Sequence, residues 1–306
     1  MRLKPGRPDL STYATYFDVP DAQSQSPLTV TWAGVTTILL DDGASALMTD
    51  GFFSRPSLLT VGLGKLSPSL PRIDGCLHRL GVDRLDAVLP VHTHYDHAMD
   101  SAAVAARTGA RLVGGASAAH IGRGGGLTED QVLIATPGSA IALGAFEVTL
   151  FAGHHCPPDR FPGTITAPVT PPVRASAYKC GEAWSTLIRH RPTDRGLLAV
   201  GSAGFIPGAL AGHRAEVVYL GVGQLGLQPE QYLVDYWNET VRTVGARRVV
   251  LTHWDDFFRP LDQPLRALPY AGDDLDVSMR VLKALAAEDA VPLHLPTLWQ
   301  RADPWL

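Results

Sequence analysis

The stretch Leu85-Asp86-Ala87-Val88-Leu89-Pro90-Val91-His92-Thr93-His94-Tyr95-Asp96-His97 decides how this chain is read. Its first half is a short apolar run, the pattern of a buried strand. Its second half places three imidazoles and a carboxylate within six residues, directly after the strand. Histidine nitrogen and aspartate oxygen are common ligands of zinc-like ions. Side chains two apart in an extended segment point the same way, so His92 and His94 can face one ion together. The chain must then turn, which lets Asp96 and His97 face a second point close by. Burying this many ionisable groups without a ligand is costly. The run therefore predicts a metal centre.

Four-coordinate spheres need further ligands. Ala140 to Phe151 reads as a hairpin that delivers His154 and His155 at its end. His154, just after Gly153, is the expected ligand, with His155 as its rival. Arg248 to Thr252 reads as an apolar strand that presents His253. The other histidines (His78, His120, His190, His213 and His294) lack a strand-end setting and read as ordinary, with His120 the nearest to an exception. Cys76, Cys156 and Cys180 are too sparse for a disulfide framework and read as small buried residues.

The remaining chain supplies a frame. Leu28–Trp32, Thr37–Leu40 and Ala46–Asp50 are short apolar runs bounded by turn residues, read as antiparallel strands. Pro71–Leu80 has helical spacing and stops at Gly81, and Ala98–Arg107 is helical up to Gly109. Arg111–Val113, Leu197–Val200 and Glu216–Val222 read as strands, Glu230–Val244 and Val277–Ala287 as helices. Residues 156–183 hold six prolines and read as a long irregular loop, the kind that often carries function. Strands alternating with helices indicate α/β layers. We expect one domain over residues 28–306, preceded by an extended leader over 1–27.

The chain has 306 residues, 45% of them hydrophobic, enough for a large core. Net charge is −4, and no Lys/Arg run is present, which argues against nucleic acid as substrate or partner. Met1-Arg2-Leu3-Lys4-Pro5 lacks the apolar run of a signal peptide, and no apolar stretch approaches the ~20 residues of a membrane span. The expectation is a soluble cytoplasmic protein acting on a small molecule. Oligomeric state is not legible.

With these pieces in order, the chain resembles a metallo-β-lactamase-fold hydrolase. The likeness rests on Asp50 after an early strand, His-x-His-x-Asp-His at 92–97, Gly-His at 153–154 and the strand-borne His253. His-Tyr-Asp-His resembles the branch of lactonases and phosphodiesterases related to ascorbate-phosphate lactonase and N-acylethanolamine phospholipase D. The resemblance implies a four-layer αββα sandwich with metals at one edge. It implies that His92, His94 and His154 hold the first metal and Asp96, His97 and His253 the second. Asp50 would orient the ligand-bearing loop from outside. It also shows a departure: most relatives carry a bridging Asp where this chain has Ser202. A neutral hydroxyl is a poor bridge between cations, so the second ion should bind more weakly, and one ion per chain is the alternative to two.

The chemistry that follows is hydrolysis of an ester, lactone, amide or phosphodiester by a hydroxide generated on zinc, with manganese or iron as other ions. Asp96 is the candidate proton acceptor. Phe161, Tyr178, Lys179, Trp184, Trp254 and Asp255 are candidate substrate contacts. Two other classes stay open: an iron-dependent oxidoreductase of the same fold, and a non-catalytic binding member.

Overall fold

Alternation along the short apolar strands sets the layers. The computed structural model describes residues 4–306; Met1–Leu3, part of the N-terminal reading above, lie outside the described residues. The first half runs β1 (Thr29–Trp32), β2 (Ile38–Asp41), β3 (Ala46–Thr49), α1 (Leu58–Leu63), α2 (Leu70–Leu80), β4 (Ala87–Leu89), α3 (Tyr95–Ala98), α4 (Ser101–Thr108), β5 (Arg111–Gly114), α5 (Ala116–Gly124) and β6 (Val132–Ile134). The second runs β7 (Ala140–Leu143), β8 (Phe146–Gly153), β9 (Ala183–His190), β10 (Arg195–Val200), β11 (Val217–Gly221), α6 (Glu230–Trp237), β12 (Arg248–Thr252), α7 (Leu275–Glu288), β13 (Leu293–His294) and β14 (Arg301–Ala302). They form two seven-stranded sheets, ordered β14-β1-β2-β3-β4-β5-β6 and β13-β12-β11-β10-β9-β8-β7.

Ile38, Leu40, Leu47, Ala87, Leu89 and Val113 point into the core shared with the second sheet's Val148, Leu150, Ile188 and Leu198. Their neighbours Leu39, Met48, Val88 and Leu112 pack the other way, with Ile73 and Leu77 of α2 and Val104 and Ala105 of α4. A strand with both faces apolar must be covered on both sides. On the second sheet, α6 and α7 bring Leu233, Tyr236, Trp237, Met279 and Leu282 against the strands. The result is the helix–sheet–sheet–helix order.

Several sequence readings change in detail. No element was assignable to Ala183–His190 from its mixed polar pattern, yet β9 pairs with both β8 and β10. The helix read over Glu230–Val244 is α-helical to Trp237 and continues as a π-turn over Asn238–Arg242. The leader is not wholly extended: Leu10–Tyr16 form a 3-10 helix with Asp9 as its N-cap. It lies along the domain, with Arg7 paired to Asp256 and Asp21 bridged to Ala302. Among the described residues no helix is long and apolar enough to cross a membrane.

Strand direction explains where the chemistry gathers. β3, β4 and β5 are parallel, so their C-terminal ends share one edge. β10, β11 and β12 are likewise parallel, and β8 reaches the same direction through two antiparallel steps. Asp50, His92, His155, Ser202 and His253 all follow such ends.

Candidate metal centre

Three ligand-type groups form at this edge: the triplets His92, His94 and His155, and Asp96, His97 and His253, with His94 also meeting Asp159 and Cys180 on its far side. In each, one ligand-type atom from every side chain lies within 4.8 Å of the others. His92 Nε2 and His94 Nδ1 are 3.1 Å apart. Nitrogens at neighbouring corners of a zinc tetrahedron stand about 3.4 Å apart when the bonds are about 2.0–2.1 Å. The separation therefore suits two ligands aimed at one ion. Asp96 Oδ2 stands 3.7 Å from His97 Nε2 and 3.6 Å from His253 Nε2. Tyr95–Ala98 turn into α3, which rotates Asp96 and His97 away from the first point and towards the second.

The protonation pattern fits this donor set. His97 Nε2 is buried and has no hydrogen-bond partner among the described residues. Its other nitrogen, Nδ1, lies 2.9 Å from Asp50 Oδ2. A carboxylate only accepts, so in the neutral ring Nδ1 carries the proton and Nε2 keeps its lone pair. His155 Nδ1 lies 2.6 Å from the Cys156 carbonyl, which likewise leaves Nε2 bare. Burial holds His92 well below the usual histidine range, and the surrounding imidazoles push it further. Burial also lowers His94 and brings His155 and His253 to about 4. These four are neutral ligands at neutral pH. His97 moves up: burial opposes its cation, but Asp50 and Asp96 outweigh burial. Asp96 moves down, because His97, His253 and His94 overcome the burial that would raise it.

Asp50 is the brace. Its side chain is fully buried. Oδ1 accepts the Val91 N–H at 2.9 Å, one residue before His92, and Oδ2 accepts from the Thr36 hydroxyl as well as from His97. Asp50, Val35 and His253 all adopt left-handed backbone, at φ 52°, 49° and 62°. For a β-branched residue such as Val35 this is a clear outlier, and such strain concentrates at functional sites. The segments hold one another in place. His253 N–H donates to Val35 O at 2.8 Å, and Val35 N–H donates to Asp255 Oδ1 at 2.9 Å.

Of the two rivals for the third ligand position, the structure sets His155, not the expected His154, beside His92 and His94. The His155 ring centroid is 4.9 Å from that of His92 and 4.6 Å from that of His94, whereas His154 is exposed outside the cluster. β8 keeps its one-to-one pairing with β9 through Gly153↔Ala183, so the choice between the two histidines is made just beyond the strand end. The backbone is then pinned from behind: Cys156 N–H donates to Ser202 Oγ at 2.9 Å. Gly204 lies so close that a Cβ there would stand 2.0 Å from the His154 carbonyl oxygen.

No protein-family model matches the chain, and no curated protein does. Solved structures do. A metallo hydrolase from Ignicoccus hospitalis aligns at TM-score 0.56 and 15% identity, over 90% of this chain and 97% of the other. The metallo-β-lactamase fold protein YhfI from Bacillus subtilis aligns at TM-score 0.53 and 14% identity, over 90% of this chain and 99% of its own. CmlA, a diiron β-hydroxylase from Streptomyces venezuelae, aligns at 0.55 and 13% identity, over 92% of this chain but 54% of CmlA.

The chain has the metallo-β-lactamase fold.

In this version of the metallo-β-lactamase fold, Ser202 stands at the position expected for a bridging carboxylate. Its hydroxyl is occupied by the Cys156 N–H, on the loop that bears His155. Residues 156–183 fold back over the edge. Cys180 N–H donates to Phe161 O and Gly181 N–H to Gly163 O, and Thr93 N–H, inside the His-rich run, donates to Cys180 O. Between this loop and the second sheet lies a cleft of about 470 Å³, lined by His154, His155, Asp159, Thr164, Phe205 and Tyr232 among others.

Four expected substrate contacts are corrected. Tyr178 is fully buried with the α2 and α4 packing. Trp184 belongs to β9 and is buried in the main core. Trp254 stacks on Trp32 with ring centroids 5.1 Å apart. Asp255 is fully buried in an ion pair with Arg55, with Nη2 and Oδ2 at 2.6 Å. Trp254 and Asp255 adjoin His253 in sequence, and Tyr178 and Trp184 lie at the far end of the loop that follows His155; neither setting reveals which way a side chain faces. Phe161 stays at the site, its ring 6.2 Å from that of His94. Lys179 is exposed on the loop. Asp159, Phe205 and Tyr232 were missed; Tyr232 sits on a helix with no motif to mark it.

Proposed function

We propose that this chain is a metal-dependent hydrolase of a small ester, lactone or related acyl compound, with zinc at the two triplets. The observation that carries this reading is the convergence of six buried or half-buried ligand-type side chains, with His97 Nε2 left bare and its other nitrogen held by Asp50. Such an ion, when bound, lowers the pKa of water from about 15.7 to about 7 and polarises a substrate oxygen. The chain's own residues do the rest. His92, His94 and His155 would hold the first ion; Asp96, His97 and His253 would hold the second. Asp96, kept ionised by its imidazole neighbours, would also serve as the proton acceptor beside the second point. The cleft, with Phe205 and Tyr232 on one wall and His154, Asp159 and Thr164 as polar points, fits a small, largely apolar substrate with a few polar groups.

Ser202 supports unequal ions, because the edge lacks the negative charge that a bridging carboxylate would add. Elemental analysis of protein purified without added metal tests the reading. One or two zinc per chain, together with turnover on an ester and lactone panel, is the expected result. Protein that takes up no metal on reconstitution would sink it.

A second reading is an iron-dependent oxidoreductase, favoured by the likeness to the diiron protein CmlA. Iron in the purified protein, with oxygen consumption and no hydrolysis, would select it.

A further inference from the structure

Asp159 lies four residues after His155, on the loop that closes the cleft. Its Oδ1 stands 3.1 Å from His94 Nε2 and accepts the Phe161 N–H at 2.9 Å. The Phe161 carbonyl lies 3.4 Å from the same His94 nitrogen and accepts the Cys180 N–H at 2.8 Å. The opposite nitrogen, His94 Nδ1, is the one aimed with His92 Nε2 at the first ion point. A carboxylate with a neutral imidazole on one side accepts its N–H and leaves the far nitrogen bare. The same arrangement joins Asp50 to His97 in the other triplet.

We propose that Asp159 is the positioning residue of the first triplet: its carboxylate takes the His94 Nε2–H, holds Nδ1 ready for the ion, and ties the order of the 156–163 loop to metal occupancy. Ion binding at His155 and His94 then tightens the loop, and a loosened loop weakens the ion. Asp159 belongs to neither triplet and meets the first only through His94, beside Cys180. This role depends on the metal centre proposed above.

The test uses the full chain in two variants. Asp159→Asn keeps an acceptor for the Phe161 N–H and removes the charge; Asp159→Ala removes both. Imidazole 15N resonances report the His94 tautomer in metal-free protein. Zinc titration against a competing chelator is followed at His155 for one triplet and at His253 for the other. The expected result for Asn is about 10–100-fold weaker zinc at His155, the range for lost partners of a metal-bound histidine. Affinity at His253 stays unchanged, and the metal-free His94 pattern shifts towards mixed tautomers. Ala should exceed Asn. Wild-type zinc affinity at His155 in both variants, with the His94 tautomer unmoved, overturns this role and leaves the metal centre standing. A wild-type chain that binds no zinc overturns the centre and the role together.

Discussion

The second triplet, Asp96, His97 and His253, is buried throughout, and His97 leans on an Asp50 carboxylate that solvent does not reach. The first, His92, His94 and His155, takes its third member from a half-exposed loop held by Ser202, the Cys156 carbonyl and the contacts around Asp159. One is braced by the core before any ion arrives; the other depends on loop contacts. One includes a carboxylate, the other only imidazoles. The contrast indicates that charge and rigidity are concentrated at Asp96, and that adaptability is left to the side facing the cleft. An enzyme that must both hold an ion and admit a substrate needs these two qualities in different places.

The comparison breaks most sharply at its centre. Asp96→Ala should lower hydrolysis about 10²–10⁴-fold, the range for losing a proton-transfer group. It should lose the ion at His253 while near-ultraviolet circular dichroism shows the fold intact; full activity would remove Asp96 from the mechanism. In the other triplet, His155→Ala should lose the ion at His92 and His94, whereas His154→Ala should keep wild-type metal content and raise KM. The reverse pattern would return His154 to the site.

Asp50→Asn comes next. It should weaken ion binding about 10–100-fold through His97. A stability loss of about 1–3 kcal/mol, read by urea unfolding of metal-free protein, should accompany it, because buried donors lose a charged acceptor. A loss of affinity at His94 rather than His97 would contradict the separate bracing of the two triplets.

Acid separates the triplets more gently. His92, His94, His155 and His253 have folded-state pKa values below the ordinary 6.5, the last two at about 4. At these four groups the unfolded chain binds more protons than the folded one, so their contribution to stability rises with pH across this window, while Asp100 and Asp273, raised by burial to about 6 and about 7, act the other way. In an Asp100→Asn, Asp273→Asn background, metal-free protein should therefore hold its Tm above about pH 6.5 and lose it steadily towards pH 4. His97, shifted upward, opposes this in part; its contribution is present at low pH and lost as pH rises through its folded value. In that background, which removes the opposing carboxylates, a flat Tm between pH 7 and 4 would show that the imidazoles are not buried neutral. The smallest effect belongs to Ser202→Ala, about 1 kcal/mol from one lost hydrogen bond to Cys156 N–H, with weaker zinc at His155 than at His253.

Much of this was legible in residue order alone. A strand-end run of three imidazoles and a carboxylate is costly to bury without a ligand, and the period-two alternation of Ile38-Leu39-Leu40 and Ala87-Val88-Leu89 demands cover on both faces of a sheet. Local rules suffice for both. Other features depend on parity and on distant neighbours. His154 and His155 are equivalent in sequence until the approach of Gly204 and the hold of Ser202 on Cys156 N–H fix the backbone beyond β8. Asp255 and Trp254 look like site residues until Arg55 and Trp32, some 200 positions away, draw them into the core. Strand β9 is assigned only by its two partners, since polar residues such as Ser185 and Thr186 blur its pattern. Asp159 has no motif at all. The metal-binding character of this chain was written locally because ligand chemistry is local; which nitrogen faces the ion was decided by tertiary structure, because side-chain direction depends on what presses on the backbone from the other sheet.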